Sequence, residues 1–306
     1  MSRLLAIVGP TGIGKTEVAT AIARKLPAEI VAVDSMQVYR GMDIGTGKPP
    51  AALRSEIPHH GLDLVEPEEE FDVLRYVQAI KPVLEEIQSA GRQAVLVGGC
   101  GLYLKILLNG LCPAPGRDPE LRERLIAEGK SAGSAVLHGR LQAVDPEAAQ
   151  RIHPNDLRRI VRALEVYHLT GQPMTLWQRD TVPFLEGLQD CPVVGLTCER
   201  GKLYEQIQAR VDGWLSAGWV EEARTLFARP LSRTAQEALG YRELFDHFRG
   251  ETDWATTRTL IHLNTRRYAK RQWSWFRQDP RVRWIDADGR GPDDMAAEIL
   301  ALANAG

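Results

Sequence analysis

The chain has 306 residues, of which 44% are hydrophobic and 25% charged. Lysine plus arginine number 38 and aspartate plus glutamate 40, a formal net charge of -2. These values describe a globular protein with a sizeable core and exclude one that coats nucleic acid by bulk charge. A local basic groove stays open, because a polyanion responds to where charge lies. No apolar run reaches the ~18 residues that cross a bilayer, so no membrane association is expected. Residues 1–8 are too short for a secretory leader and run straight into a glycine motif. Cys100, Cys112, Cys191 and Cys198 form no CxxC pair and no zinc spacing, which reads as free thiols in a reducing cytoplasm.

In chain order, Leu4–Val8 is an apolar run and a predicted strand. A glycine loop follows, then a predicted helix over Glu17–Leu26, stopped by Pro27. Ile30–Val33 is the second predicted strand and ends at Asp34. Residues 41–62 are rich in Gly, Pro and His and read as a long loop. Phe71–Ala90 is helical with a Pro interruption at Pro82, and Ala94–Val97 is a strand ending at Gly98-Gly99-Cys100-Gly101. Buried-strand runs with helices between them predict a parallel sheet, with functional loops at its carboxyl edge.

The texture changes near Cys112–Gly116. From there to Gly187 the chain is helical and charged with no convincing strand. Pro192–Thr197 resumes the strand pattern, Leu203–Phe227, Glu237–Phe248 and Thr256–Gln278 read as helices, and Arg281–Ile285 as a last short strand. The expected organisation is an α/β core over 1–115 and 188–306, interrupted by a helical insertion domain over 116–187. Nothing suggests an oligomer or an obligate protein partner, so a monomer is expected.

Gly9-Pro10-Thr11-Gly12-Ile13-Gly14-Lys15-Thr16 fits GxxxxGK[ST] between a predicted strand and a predicted helix. Backbone N–H groups turned inward, the Lys15 ammonium, the Thr16 hydroxyl as a Mg²⁺ ligand and the helix N-terminus all suit phosphate groups. The motif does not identify the reaction. A motor or nucleotide hydrolase would show an apolar strand ending in an Asp for Mg²⁺, whereas Ala94–Val97 ends in glycines. Small-substrate kinases and other phosphate-ester transferases stay open.

Asp34-Ser35-Met36-Gln37 follows the second strand, on the edge that borders the phosphate loop in a doubly wound sheet. Asp34 is positioned either as a general base or as the cap of a polar turn. Gln37 has the amide that pairs two-pronged with an adenine edge. Gly45-Thr46-Gly47-Lys48 either closes over an anion or is a surface turn. His59 and His60 lack the company of a zinc site and read as structural. Positive charge concentrates at Arg151, Arg158, Arg159 and Arg162, and again over Arg258–Arg283, where Tyr268, Trp273, Trp275 and Phe276 interleave. The second pattern suits either nucleic acid with unstacked bases or a basic helix with inward tryptophans.

Taken together, GPTGIGKT at 9–16, DSMQVY at 34–39, GTGKP at 45–49, PHHGLD at 58–63, GGCGLY at 98–103, RIHPNDLRRIVRALEVYHLTGQP at 151–173, GYRE at 240–243 and RRYAKRQWSWFR at 266–277 resemble the bacterial-type tRNA dimethylallyltransferase (tRNA isopentenyltransferase) family, in family order. The resemblance implies a P-loop NTPase-like parallel sheet flanked by helices, with a mostly helical insertion domain. It implies transfer of a dimethylallyl group from dimethylallyl diphosphate to the exocyclic amine of the adenosine beside the anticodon of tRNA (position 37). Mg²⁺ is the implied cofactor, and the ATP-like loop, Gly9 to Thr16, is implied to hold the donor diphosphate. Asp34 is implied as the base, with Lys15 and Thr16 beside it. Asp34, Ser35, Met36, Gln37, Cys100, Arg122, Arg158, Arg159, Ile160, Val161 and Arg162 match tRNA-contact positions, the partner being the anticodon stem-loop. From the GYRE loop, Arg242 is a candidate to join the diphosphate site.

Several positions depart from the family pattern. Cys100 stands where Thr is usual and is a weaker hydrogen-bond donor. Gly47 replaces Ala. Glu237 stands where Gln or Arg is common, near the expected diphosphate side, so it is predicted to point away.

Overall fold

The computed structural model describes residues 4–116, 118–179, 181–185 and 187–304. It divides into two compact units, Met1–Leu108 with Leu185–Gly306, and Asn109–Phe184. The insertion therefore spans 109–184 rather than 116–187.

The elements run β1 (Leu4–Val8), α1 (Lys15–Lys25), β2 (Ala28–Val33), α2 (Ala51–Glu56), β3 (His59–His60), α3 (Val73–Ser89), β4 (Gln93–Gly98) and α4 (Gly101–Asn109). The insertion holds α5 (Pro119–Ala132), α6 (Ser134–Val144), α7 (Pro146–Arg151), α8 (Leu157–Thr170) and α9 (Met174–Arg179). The first unit then resumes with β5 (Val193–Thr197), α10 (Arg200–Ser216), α11 (Trp219–Phe227), α12 (Arg233–Gln236), α13 (Tyr241–Phe248), α14 (Trp254–Phe276), β6 (Val282–Asp286) and α15 (Pro292–Asn304).

The six strands form one parallel sheet in the order β3-β2-β4-β1-β5-β6. Every residue of β1 and β2 is buried, as expected of strands covered on both faces. That includes Glu29, whose carboxylate meets Arg92 and His60. Asp34, at the end of β2, does not border the phosphate loop directly, because β4 lies between β2 and β1. The glycines that end β4 let the neighbours close in. A Cβ on Gly98 would lie 2.0 Å from the Val33 carbonyl oxygen. This accounts for a strand that ends in glycine rather than in an acid.

Four local expectations change. Pro82 does not interrupt α3: it lies on the exposed face, where the lost N–H bond and the displaced carbonyl face water. The predicted helix 203–227 is two helices, broken at Gly218 with φ 101°. Residues 41–62 contain α2 and the short β3. α4 and α15 are additional helices.

The helical unit has its own core of Leu121, Leu125, Leu137, Leu141, Ile160 and Leu164. α8 contributes through the apolar stripe Ile160, Val161, Ala163, Leu164, at the spacing of one helix face. Leu111 and Val182 form an antiparallel bridge where the chain enters and leaves this unit. Among the described residues, no helix is long and apolar enough to cross a membrane.

Candidate active site

The glycine loop between β1 and α1 adopts the left-handed backbone that only glycine takes readily, with φ 142°, 86° and 91° at Gly9, Gly12 and Gly14. Gly14 caps α1 without a side-chain hydrogen bond, so the first-turn N–H groups stay open to an anion. Lys15 Nζ donates to the Pro10 carbonyl at 2.8 Å. Burial, and then the Arg210 guanidinium, lower the Lys15 pKa to about 7. Among the described residues Arg210 makes no ion pair, although Glu17 and Asp34 act on it at longer range. Its guanidinium lies over Trp214, 4.6 Å from the ring centroid, and burial lowers its pKa in turn. Two buried cations therefore share this space, and the carboxylates of Asp34 and Glu17 offset them only in part, since both pKa values stay lowered, an arrangement that suits an anion.

That space is a cavity of about 440 Å³ at the carboxyl end of the sheet. Thr11, Gly12 and Gly14 to Thr16 line it from the phosphate loop, and Asp34 to Gln37 from the end of β2. Asp34 Oδ1 accepts the backbone N–H of Met36 at 2.8 Å and of Gln37 at 3.3 Å, an Asx turn. Oδ2 has no protein partner among the described residues. Turn cap and available base are thus both properties of Asp34, one on each oxygen. Gln37 Nε2 donates to the carbonyls of Thr46 and Gly47 at 3.0 and 3.2 Å. Lys48 is not available to an anion: its ammonium is buried and donates to Asp43, Asp63 and the Tyr39 carbonyl. The 45–48 segment is therefore a braced wall rather than a flap. Burial raises the Cys100 thiol to about 11, so it stays protonated.

The opposite wall comes from α12 to α14. Arg242 donates to Glu243 at 2.8 Å, and Glu243 is itself buried, accepting from the Gly240 N–H and from Asn264. Glu237 stands at the cavity wall with its side chain 64% exposed, and its carboxylate meets Arg242 at 3.5 Å. Gln272 is buried and accepts the Thr11 N–H at 2.7 Å, so Thr11 offers a bound anion its side chain and not its backbone. The Gln272 side chain also hydrogen-bonds Tyr268, whose hydroxyl burial keeps far above the usual phenol range. Of the basic residues on and after α14, Arg258 is committed to Asp212 and Arg281 to Asp279. Arg267, Lys270 and Arg271 remain exposed.

In the helical unit the candidate tRNA contacts separate. Arg158 and Arg159 are exposed; Arg159 meets Asp156 at 3.4 Å and Arg158 has no partner among the described residues. Ile160 and Val161 are 0% and 2% exposed, so their side chains are core and not RNA contacts. Arg122 and Arg162 both donate to Glu165, which is fully buried. Arg162 also caps the Pro115 and Gly116 carbonyls. Burial acts to raise the Glu165 carboxyl, and the two arginines outweigh it and hold it below its ordinary value. These two arginines primarily anchor α5, α8 and the 115–116 segment.

Arg210 is the site residue that pattern reading passes over. Its signal is the i,i+4 spacing to Trp214 on a helix, which stacks a guanidinium on an indole. Among the described residues, no cluster of three His, Cys, Asp or Glu side chains makes a metal site.

A glycine-lysine loop between β1 and α1, two buried cations and a carboxylate on one cavity define an α/β protein of the phosphate-loop kind. The sequence model described as IPP transferase matches residues 37–279, and that described as isopentenyl transferase matches residues 2–57. The chain belongs to the IPP transferase family. It is 46% identical to the tRNA dimethylallyltransferase of Symbiobacterium thermophilum over 97% of this chain and 93% of that one. With the Geobacillus kaustophilus enzyme of the same name the identity is 44%, over 98% and 95%. The crystal structure of full-length tRNA isopentenylpyrophosphate transferase from Bacillus halodurans superposes with a TM-score of 0.74 at 37% identity, covering 100% of this chain and 96% of that one. A eukaryotic dimethylallyltransferase captured acting on tRNA superposes at 0.80 with 27% identity, covering 98% and 77%.

Proposed function

We propose that the protein transfers a dimethylallyl group from dimethylallyl diphosphate to the exocyclic amine of the adenosine at position 37 of tRNA, releasing diphosphate. The observation that carries this reading is Asp34, with one carboxylate oxygen not taken up by the turn, on the same cavity as the buried cations Lys15 and Arg210.

An adenine exocyclic amine is a weak nucleophile, because its lone pair delocalises into the ring. The leaving group must therefore supply much of the drive. Negative charge grows on the departing diphosphate, and the glycine-loop N–H groups, Lys15 and Arg210 stabilise it, with Arg242 held nearby by Glu243. Asp34 accepts the amine proton through Oδ2 as the C–N bond forms. The adenine reaches the cavity by leaving its stack, which costs less in a single-stranded loop than in a duplex.

Mg²⁺ fits this donor set. The ion prefers oxygen ligands, keeps several waters and binds through substrate phosphates, so it needs few protein ligands. The Thr16 hydroxyl lines the cavity without a protein partner among the described residues, and would hold the ion against the diphosphate. When bound, the ion adds neutralisation of the leaving group. The exposed Arg158 and Arg159, and Arg267, Lys270 and Arg271, are the basic surfaces proposed to meet the tRNA backbone. A tRNA substrate supports the cytoplasm as the place of action.

The test follows diphosphate release from dimethylallyl diphosphate in the presence and absence of tRNA. Release that requires tRNA supports the proposal. ATP turnover that needs no tRNA would replace it with a phosphoryl-transfer reading.

A further inference from the structure

Outside the machinery described so far, one carboxylate is bound in an unusual way. Glu222, on α11, accepts three successive backbone N–H groups of the 43–45 turn: Asp43 at 3.0 Å, Ile44 at 2.9 Å and Gly45 at 3.3 Å. It also accepts the Tyr241 hydroxyl at 2.5 Å. Successive N–H groups around one anion form a nest, and each bond is charge-assisted. Packing reinforces it. Trp219 stacks edge-on against Tyr241, and a Cβ on Gly45 would lie 1.9 Å from the Trp219 indole nitrogen.

The turn held this way continues into Thr46 and Gly47, whose carbonyls accept the Gln37 amide. Those bonds fix which way the Gln37 amide faces: Nε2 toward the loop, leaving Oε1 as the end not taken up by these bonds. Gln37 N–H in turn belongs to the Asp34 turn. A continuous chain of hydrogen bonds therefore runs from Glu222 through residues 43–47 to Gln37 and Asp34.

We propose that Glu222 is a positioning residue for the acceptor base, acting through the 43–47 loop to orient Gln37 beside Asp34. The proposal rests on the transfer reading above, in which the adenine sits against Asp34. With Glu222 lost, the loop carbonyls shift and the Gln37 amide is free to turn. Misplacement of this kind acts on the acceptor side of the reaction more than on the donor side.

The test is a double-mutant cycle of Glu222→Gln and Gln37→Ala, read as kcat/KM for tRNA. The amide of Glu222→Gln matches the carboxylate in size but cannot accept all four donors. Each single variant is expected to lose about tenfold, and the double variant no more than about twofold beyond the worse single one, with KM for dimethylallyl diphosphate changed less than about twofold. Losses that multiply, or a silent single variant, overturn the proposal. If Glu222→Gln does not fold, Tyr241→Phe removes one of the four donors and is expected to lose about threefold, again only while Gln37 is present. Prenyl transfer by the wild-type enzyme in the same assay separates failure of this proposal from failure of the transfer reading.

Discussion

Gln272 Oε1 accepts the backbone N–H of Thr11 at 2.7 Å, joining α14 to the phosphate loop across 261 residues of sequence. The helix that carries the exposed basic residues Arg267, Lys270 and Arg271 is thereby tied to the loop proposed to hold the donor diphosphate. Replacing Gln272 by Leu leaves the half-buried Thr11 N–H without this partner, at a cost of about 1 kcal/mol, and frees the loop backbone to shift. Steady-state kinetics are expected to show a KM for dimethylallyl diphosphate raised about tenfold or more. An unchanged donor KM would mean the loop holds its shape without Gln272.

Asp34→Asn keeps the oxygen that caps the turn and removes the base. The expected result is tRNA affinity within about twofold of wild type and a turnover lower by about 10²–10⁴. Filter binding and single-turnover rates check the two halves. Near-normal turnover would remove Asp34 as the base.

The Lys15 pKa of about 7 makes donor binding sensitive to pH. The diphosphate favours the ammonium and raises its pKa in the complex, so binding takes up a proton above pH 7. Affinity is therefore level below pH 7 and falls by up to about tenfold per unit above it, until the pKa of the complex is reached. Isothermal titration at several pH values, in buffers of different ionisation enthalpy, reads both the slope and the proton. Lys15→Arg stays charged and is expected to flatten the slope. An identical slope in that variant would assign the proton elsewhere.

Arg158 and Arg162, four residues apart on α8, are expected to behave differently. Arg158→Ala weakens tRNA binding by about 1 kcal/mol and reduces its salt dependence, with no change in melting temperature. Arg162→Ala leaves Glu165, 0% exposed, with one cationic partner fewer and lowers stability by about 1–3 kcal/mol. Thermal melts beside binding isotherms separate the two. Equal melting temperatures would contradict the anchoring role.

The sheet was legible because its central strands are short, mostly apolar runs, as at Leu4–Val8 and Val193–Thr197. Strand order was not: that β4 separates β2 from β1 is a tertiary fact, visible in the sequence only as Gly98-Gly99. Pro82 shows why a breaker is ambiguous, since a helix tolerates proline where the freed carbonyl meets water. Motifs located Asp34, Lys15 and Thr16, but said nothing of which side chains were already occupied. Lys48 and Arg162 look like free cations in sequence and are committed to carboxylates in space. Arg210 carries no motif, and its place in the site comes from its burial over Trp214 beside Lys15, which only the fold brings about. Ile160 and Val161 fall within a basic segment, yet the 3.6-residue period turns them inward.

In the proposed reaction the acceptor is an adenosine amine of tRNA. This is tested most directly by mass spectrometry of nucleosides from unmodified tRNA incubated with the protein, Mg²⁺ and dimethylallyl diphosphate. The expected result is an adenosine heavier by one dimethylallyl group, at position 37, absent with Asp34→Asn. Unmodified adenosine, with tRNA bound and the donor intact, would contradict it.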